Sequence, residues 1–213
     1  MDPRSSSKSA TGTAIPIRAA RVAFAVLTAV ALADILAAGL DSPTFSVVNY
    51  FSYFTVLSNV AAVVVLAVGG LVDPLGARWQ LVRGAVTLYM VITGIVYAVL
   101  LVNIDVGVAD AWTNNVVHRI MPVVLLTDWV VVPARRRISE RTAMLWLAFP
   151  LVYSVYTLIR GPIVDWYPYP FFDPRTQGYL EMAVGLVVLT VAFVMMALAV
   201  NAVGRLRRRK GSD

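Results

Sequence analysis

Apolar residues fall into six runs along the chain, at 19–39, 47–72, 82–102, 113–132, 142–160 and 179–203. Each is long enough to cross about 30 Å of hydrocarbon as a helix. Between them stand residues that stop helices: Pro43, Asp73-Pro74 with Gly76, Gly107, Pro133, Gly161-Pro162 and the proline-rich stretch 168–174. Residues 1–17 are rich in Ser, Thr and Gly and predict a disordered tail. Residues 205–213 form a short basic tail. The pattern predicts an all-α polytopic membrane protein, with a six-helix transmembrane bundle over 18–204 and no second domain.

The cations set an expected orientation. Arg4, Lys8, Arg18 and Arg21 lie at the N-terminus, and Arg78 and Arg83 after the second run. Arg135, Arg136, Arg137 and Arg141 follow the fourth, and Arg205, Arg207, Arg208, Arg209 and Lys210 the sixth. That places 15 of the 18 basic residues on one side. The opposite loops carry Asp41, Asp105, Asp110, Asp165 and Asp173. By the positive-inside rule both termini are cytoplasmic. Arg18 and Arg21 before an apolar stretch and Ala31-Leu32-Ala33 also fit a cleaved signal peptide. Apolar residues that continue to Leu40, and the even helix number, favour a membrane span.

Composition agrees with the pattern. The 213 residues are 59% hydrophobic and 14% charged, with mean hydropathy +0.76. Soluble domains average about 25% charged. There is no cysteine, which removes disulfides and thiolate chemistry. Sixteen arginines stand against two lysines, the usage of a GC-rich genome and hence of a bacterial plasma membrane. The net charge of +6 and pI near 9.9 could suggest nucleic acid. In this chain the cations are loop residues on one face of the membrane, and the tryptophans and tyrosines form an interfacial belt. No nucleic-acid partner is expected.

Candidate chemistry lies in the polar residues of the apolar runs, which in lipid face the bundle interior. The stretch NYFSYFTVLSNV opens the second run and puts Ser52, Thr55, Ser58 and Asn59 on one helix face. Counted from the non-cytoplasmic surface, Thr55 lies about 10 Å deep and His118, the sole histidine, about 9 Å deep on the fourth helix. Asn114 and Asn115 lie one turn above His118; Asp34 and Glu181 share the outer third. A hydroxyl beside a neutral imidazole can act as a nucleophile, with a third group to orient the base. Thr55 and His118 are therefore the candidate catalytic pair. Asp34, Ser58, Asn59, Asn115 and Glu181 are candidates for orienting or oxyanion support. Asp128, near the cytoplasmic end, is expected to pair with loop arginines or to cap the interface. Residues 160–178 alternate aromatics and prolines, and Trp166, Tyr167, Tyr169 and Phe171 are read as an interfacial anchor or a cap over the substrate. One histidine and scattered carboxylates make no metal site, and no soluble cofactor is expected. GxSxG, HExxH, Walker and GxGxxG patterns do not occur.

Three stretches in this order carry a family resemblance: YFTVLSN around Thr55, NNVVHRIMPVVLLTDW around His118, and YSVYTLIRGPIVDWYPYPF at 153–171. The chain resembles, over nearly its whole length, the androgen-induced gene/ADTRP six-helix membrane hydrolases and their bacterial branch. The resemblance implies a threonine hydrolase that cleaves fatty acid esters of hydroxy fatty acids. It places the nucleophile at Thr55 and the base at His118. The expected partners are a lipid ester drawn from the bilayer and the membrane lipids themselves. The alternative is a non-enzymatic membrane protein that binds or transports lipid.

Overall fold

In the computed structural model, residues 12–104, 110–135 and 137–209 are described, with side chains up to 205. Every regular element among them is helical. Five helices are long and apolar enough to cross a membrane: Ile15–Leu40, Phe54–Leu71, Ala77–Leu101, Glu140–Val164 and Tyr179–Arg205. They define a multi-pass integral membrane protein. Residues 111–131 form a further helix, made more polar than these five by Asn114, Asn115, His118, Arg119 and Asp128.

The first helix, α1 (Ile15–Leu40), starts earlier than its hydropathy predicts, with Pro16 in its first turn. Residues 12–17 were expected in the tail. Instead, the Thr13 N–H and hydroxyl both donate to Asp73, at 2.6 and 2.7 Å. Burial works to raise the Asp73 carboxyl, but the two Thr13 bonds and the Arg21 guanidinium outweigh it and hold the pKa below its usual value. The second apolar run is broken. A single turn, α2 (Val47–Tyr50), capped by Ser46, precedes α3 (Phe54–Leu71). α1 and α3 pack closely because Gly70 lies against the Val22 side chain and the Arg18 carbonyl. Arg18 reaches over to accept-ready carbonyls of Gly70 and Leu71 at the end of α3, at 2.8 and 2.7 Å.

The third run is α4 (Ala77–Val96), which continues into a π turn at Tyr97–Leu101. The fourth is α5 (Ala111–Asn115), a π turn at Val116–Ile120 and α6 (Met121–Val131). The fifth is α7 (Glu140–Met144), a 3₁₀ turn and α8 (Ala148–Val164). Helix α8 runs through Gly161-Pro162, which were expected to end it, and stops at Asp165 in the left-handed region with φ 52°. A short 3₁₀ turn (Pro170–Phe172) and α9 (Pro174–Gln177) lead to α10 (Tyr179–Arg209). The outer face of α10 exposes Leu180, Val184, Val187, Val188, Val191 and Met195, as a lipid-facing helix should. Asp105 and Gly107, and the tail residues 1–11 and 210–213, lie outside the described residues.

A buried ionic cluster ties α1, α4 and α6 together at the end of the bundle where the basic loops lie. Asp128 accepts from Arg21 at 2.7 and 3.2 Å and from Arg83 at 2.8 Å. Both arginines are 4% exposed. Arg21 also meets the Gly69 carbonyl and lies 3.5 Å from Asp73, while Arg83 meets Gln80 and the Val132 carbonyl. Its guanidinium stacks on Trp129. Asp128 thus pairs with arginines of two helices rather than of a loop. Replacing it would strand two buried cations. We predict that Asp128→Asn lowers stability by about 3–5 kcal/mol, read as a fall in the thermal midpoint of detergent-purified protein. An unchanged midpoint would refute this role.

Candidate active site

The break between α2 and α3 creates the site. A helix that starts inside a bundle leaves its leading N–H groups without intrahelical acceptors. In α3 the first backbone bond runs from Leu57 N–H to the Tyr53 carbonyl, so the amides of Phe54, Thr55 and Val56 need other partners. Phe54 N–H donates to the Tyr153 hydroxyl at 3.2 Å, and Thr55 N–H to the Tyr169 hydroxyl at 3.2 Å. Tyr153 passes its own proton to the Ser52 carbonyl at 2.9 Å. The Val56 N–H meets no acceptor among the described residues. The positive end of the α3 dipole falls on these same atoms.

Thr55 Oγ1 lies 3.3 Å from His118 Nε2 and 3.3 Å from the Tyr169 hydroxyl. All three side chains are buried. His118 sits in the π turn between α5 and α6. Such turns insert one extra residue and re-aim side chains, often at functional positions. Its Nδ1–H donates to Asn114 Oδ1 at 2.7 Å, four residues back. That bond leaves the Nε2 lone pair facing Thr55. Asn114 in turn donates to the Tyr97 hydroxyl at 2.8 Å, and the Tyr97 ring stacks on the imidazole at 4.3 Å. Arg119 lies over the Tyr97 ring, 5.7 Å from its centroid. The imidazole is therefore fixed in tautomer and in plane.

Tyr169 comes from the loop between α8 and α9. Phe171 stacks on it at 5.2 Å, Tyr53 meets it edge-on, and Trp166 meets Tyr53 edge-on. Tyr167 presses on Gly161, where a side chain would collide with its ring, and lies under Arg175. Arg175 is held by Asp173 and Asp165. Burial pushes the Tyr169 hydroxyl up to about 12, so it stays a proton donor at neutral pH.

Thr55 and His118 meet, as their depth predicted. The supporting residues are sorted differently. Asn59 donates to the Thr55 and Val117 carbonyls at 2.9 and 3.1 Å, and so clamps α3 to the π turn from below. Asn59 Oδ1 and the Ser58 hydroxyl are buried without partners. Asn115 accepts from Arg119 at 2.8 Å and points away from the pair. Asp34 is half-buried on the wall of a cavity that Thr55 and His118 also line, but His118 Nδ1 is taken by Asn114. Glu181 is exposed near the start of α10 and belongs to neither cavity at Thr55. A carboxylate was expected as orienting group because triads use one; an amide in lipid does the task without a buried charge. Asn114 could have been read from its i, i+4 spacing to His118. Tyr97, Tyr153 and the Val56 amide leave no local trace in the sequence.

Around the pair the aromatic and polar donors can polarise a carbonyl, and the imidazole can take a proton from Thr55. The residues fit no metal: among those described, no three His, Cys, Asp or Glu side chains come together. Compared with protein-family models, curated proteins and solved structures, the chain matches none. One histidine gives one imidazole signal pair in ¹⁵N NMR. It should report a single Nδ1–H tautomer in the unmodified protein and shifted imidazole signals in Asn114→Leu, where only the backbone carbonyl of residue 114, 3.3 Å away, is left to accept from Nδ1. Unchanged signals would remove the Asn114 side chain from this role.

Proposed function

We propose that the protein is an intramembrane lipid-ester hydrolase with Thr55 as nucleophile and His118 as general base. The observation that carries the reading is the buried 3.3 Å approach of Thr55 Oγ1 to His118 Nε2, with Nδ1 locked by Asn114. Thr55 Oγ1 attacks the ester carbonyl carbon as its proton passes to His118 Nε2. The carbonyl oxygen takes up negative charge opposite the Val56 N–H and the Tyr169 hydroxyl, at the positive end of α3. The C–O bond to the leaving group breaks, and His118 returns the proton to the departing alkoxide as an alcohol. Water then attacks the acyl-threonine with His118 again taking the proton; the bond from the acyl carbon to Thr55 Oγ1 breaks, His118 returns the proton to Thr55, and the fatty acid leaves. Esters of hydroxy fatty acids are the substrate class implied by the family resemblance.

We further propose six spans, with residues 111–131 as the fourth, in a bacterial plasma membrane with both termini cytoplasmic. In that helix Asn114 and His118 face the pair and Asp128 faces the ionic cluster, while Asn115 and Arg119 bond each other on its exposed side. The absence of cysteine allows single-cysteine mapping. In right-side-out vesicles Thr176→Cys should react with a membrane-impermeant maleimide and Ser5→Cys should not. The reverse pattern would invert the topology.

Thr55→Ala and His118→Ala should each reduce ester turnover by at least about 100-fold while keeping the thermal midpoint. Tyr169→Phe should lose about tenfold or more through its oxyanion donor. A fluorophosphonate should label Thr55 in a His118-dependent way. Folded Thr55→Ala protein that retains turnover would refute the mechanism. Saturable lipid binding with neither labelling nor turnover would favour a lipid carrier.

A further inference from the structure

Thr55 and Tyr169 belong to two cavities at once. One, of about 470 Å³, lies against α1 and residues 42–50, and its wall includes Asp34, Ser46, Asn49 and Asp110. The other, of about 350 Å³, lies between α4, α8 and α10, and its wall includes Ile92, Leu158, Leu186, Leu189 and Phe193. The Tyr169 ring lines both, with Phe171 stacked on it from the apolar side.

Apart from Thr55 and Tyr169, where it meets the first cavity, the second cavity has no wall hydroxyl with a hydrogen to give. Thr93 donates to the Tyr89 carbonyl at 3.0 Å, Ser154 to Pro150 at 2.8 Å and Thr190 to Leu186 at 2.8 Å. Tyr153 donates to Ser52. A polar ligand group placed there would lose water and gain no donor, which is costly. An aliphatic chain gains with every methylene buried. The cavity also reaches the lipid-facing surface, since Leu151 and Thr190 are both part of its wall and exposed. A chain can enter it from the bilayer without crossing water. The first cavity differs in charge. Among the described residues its wall carries two carboxylates, Asp34 and Asp110, and no Lys or Arg; Arg160, behind the wall, is taken up by Asn49 Oδ1 at 2.7 Å and by the Trp166 ring. A ligand carboxylate there would face charges of its own sign.

We infer that the apolar cavity holds the acyl chain of the ester and the polar cavity holds the alcohol half, which carries no negative charge. The assignment of the two halves rests on the hydrolase reading; the occupancy of the apolar cavity does not. It narrows the substrate to esters of uncharged or cationic alcohols, and away from those whose alcohol half ends in a carboxylate.

The test uses full-chain Thr55→Ala protein in detergent and a monoacylglycerol with a diazirine at the end of its acyl chain. Crosslinks should map to 150–158 and 186–194 and be competed by unlabelled monopalmitoylglycerol. Crosslinks to 32–49, or uncompeted crosslinks over the outer face of α10, would overturn the assignment. Competed crosslinks in a protein that hydrolyses no ester would keep the acyl site and remove the hydrolase reading. In active protein, Leu189→Trp should cut turnover of the palmitoyl ester about tenfold more than that of the octanoyl ester, because fewer methylenes are buried. Thr190→Phe serves if Leu189→Trp does not fold. An equal loss on both chain lengths would count against the site. The glycerol ester should be cleaved faster than an ester of a hydroxy fatty acid, and Asp34→Asn with Asp110→Asn should narrow the gap. Equal rates on both esters would overturn the charge assignment.

Discussion

A peptide N–H group inside a membrane must find an acceptor in the protein. Water is absent there and each unpaired group costs several kcal/mol. The break between α2 and α3 puts three such groups at the top of α3, and two are taken by tyrosine hydroxyls, Tyr153 and Tyr169. One tyrosine comes from α8 and the other from the loop that follows it. A local irregularity in one helix therefore pins two distant parts of the chain. The same constraint places the Thr55 hydroxyl where a helix dipole, an imidazole and a phenol converge.

The two polar centres of the bundle are solved by different means. At the end of the bundle near the basic loops, the ionic cluster pairs Arg21 and Arg83 with Asp128, and Arg21 with Asp73. Charge is matched by charge, and the geometry is rigid. At the other end, around His118, the groups are neutral hydrogen-bonding side chains: Asn114, Tyr97, Tyr169 and Asn59. None of these four side chains is an anion that would compete with a substrate for the donors. Ser58 and Asn59 Oδ1 remain unpaired there.

The residues most open to reading from sequence were those governed by period and depth. Six apolar runs and the shared level of Thr55 and His118 follow from hydropathy and about 1.5 Å per residue. All six runs are helical, and five have the length and apolarity of membrane spans. What could not be read depends on atoms far apart in the chain. The capping of Phe54 and Thr55 by tyrosines about a hundred residues later has no local signal. Nor does the choice of Asn114 over Asp34 as partner of His118, since both lie at a suitable depth. Glu181 was grouped by depth alone, and depth does not say which way a helix faces; on α10 it faces outward. Gly161-Pro162 were read as a stop, but proline near a helix end costs one bond, and Gly161 is needed for the contact with Tyr167.

The π turn that carries His118 has a consequence for how this segment can vary. It holds one residue more than an α-helical turn would, so the residues before and after it are out of phase in an ordinary helical count. Loss of any one residue between 116 and 120 would let the segment relax into a plain α-helix. Everything on one side would then swing by about 100°. Either Asn114 would leave the imidazole or the imidazole would leave Thr55, while hydropathy and helix content hardly changed. Length in this short stretch is thus constrained as well as the identity of His118.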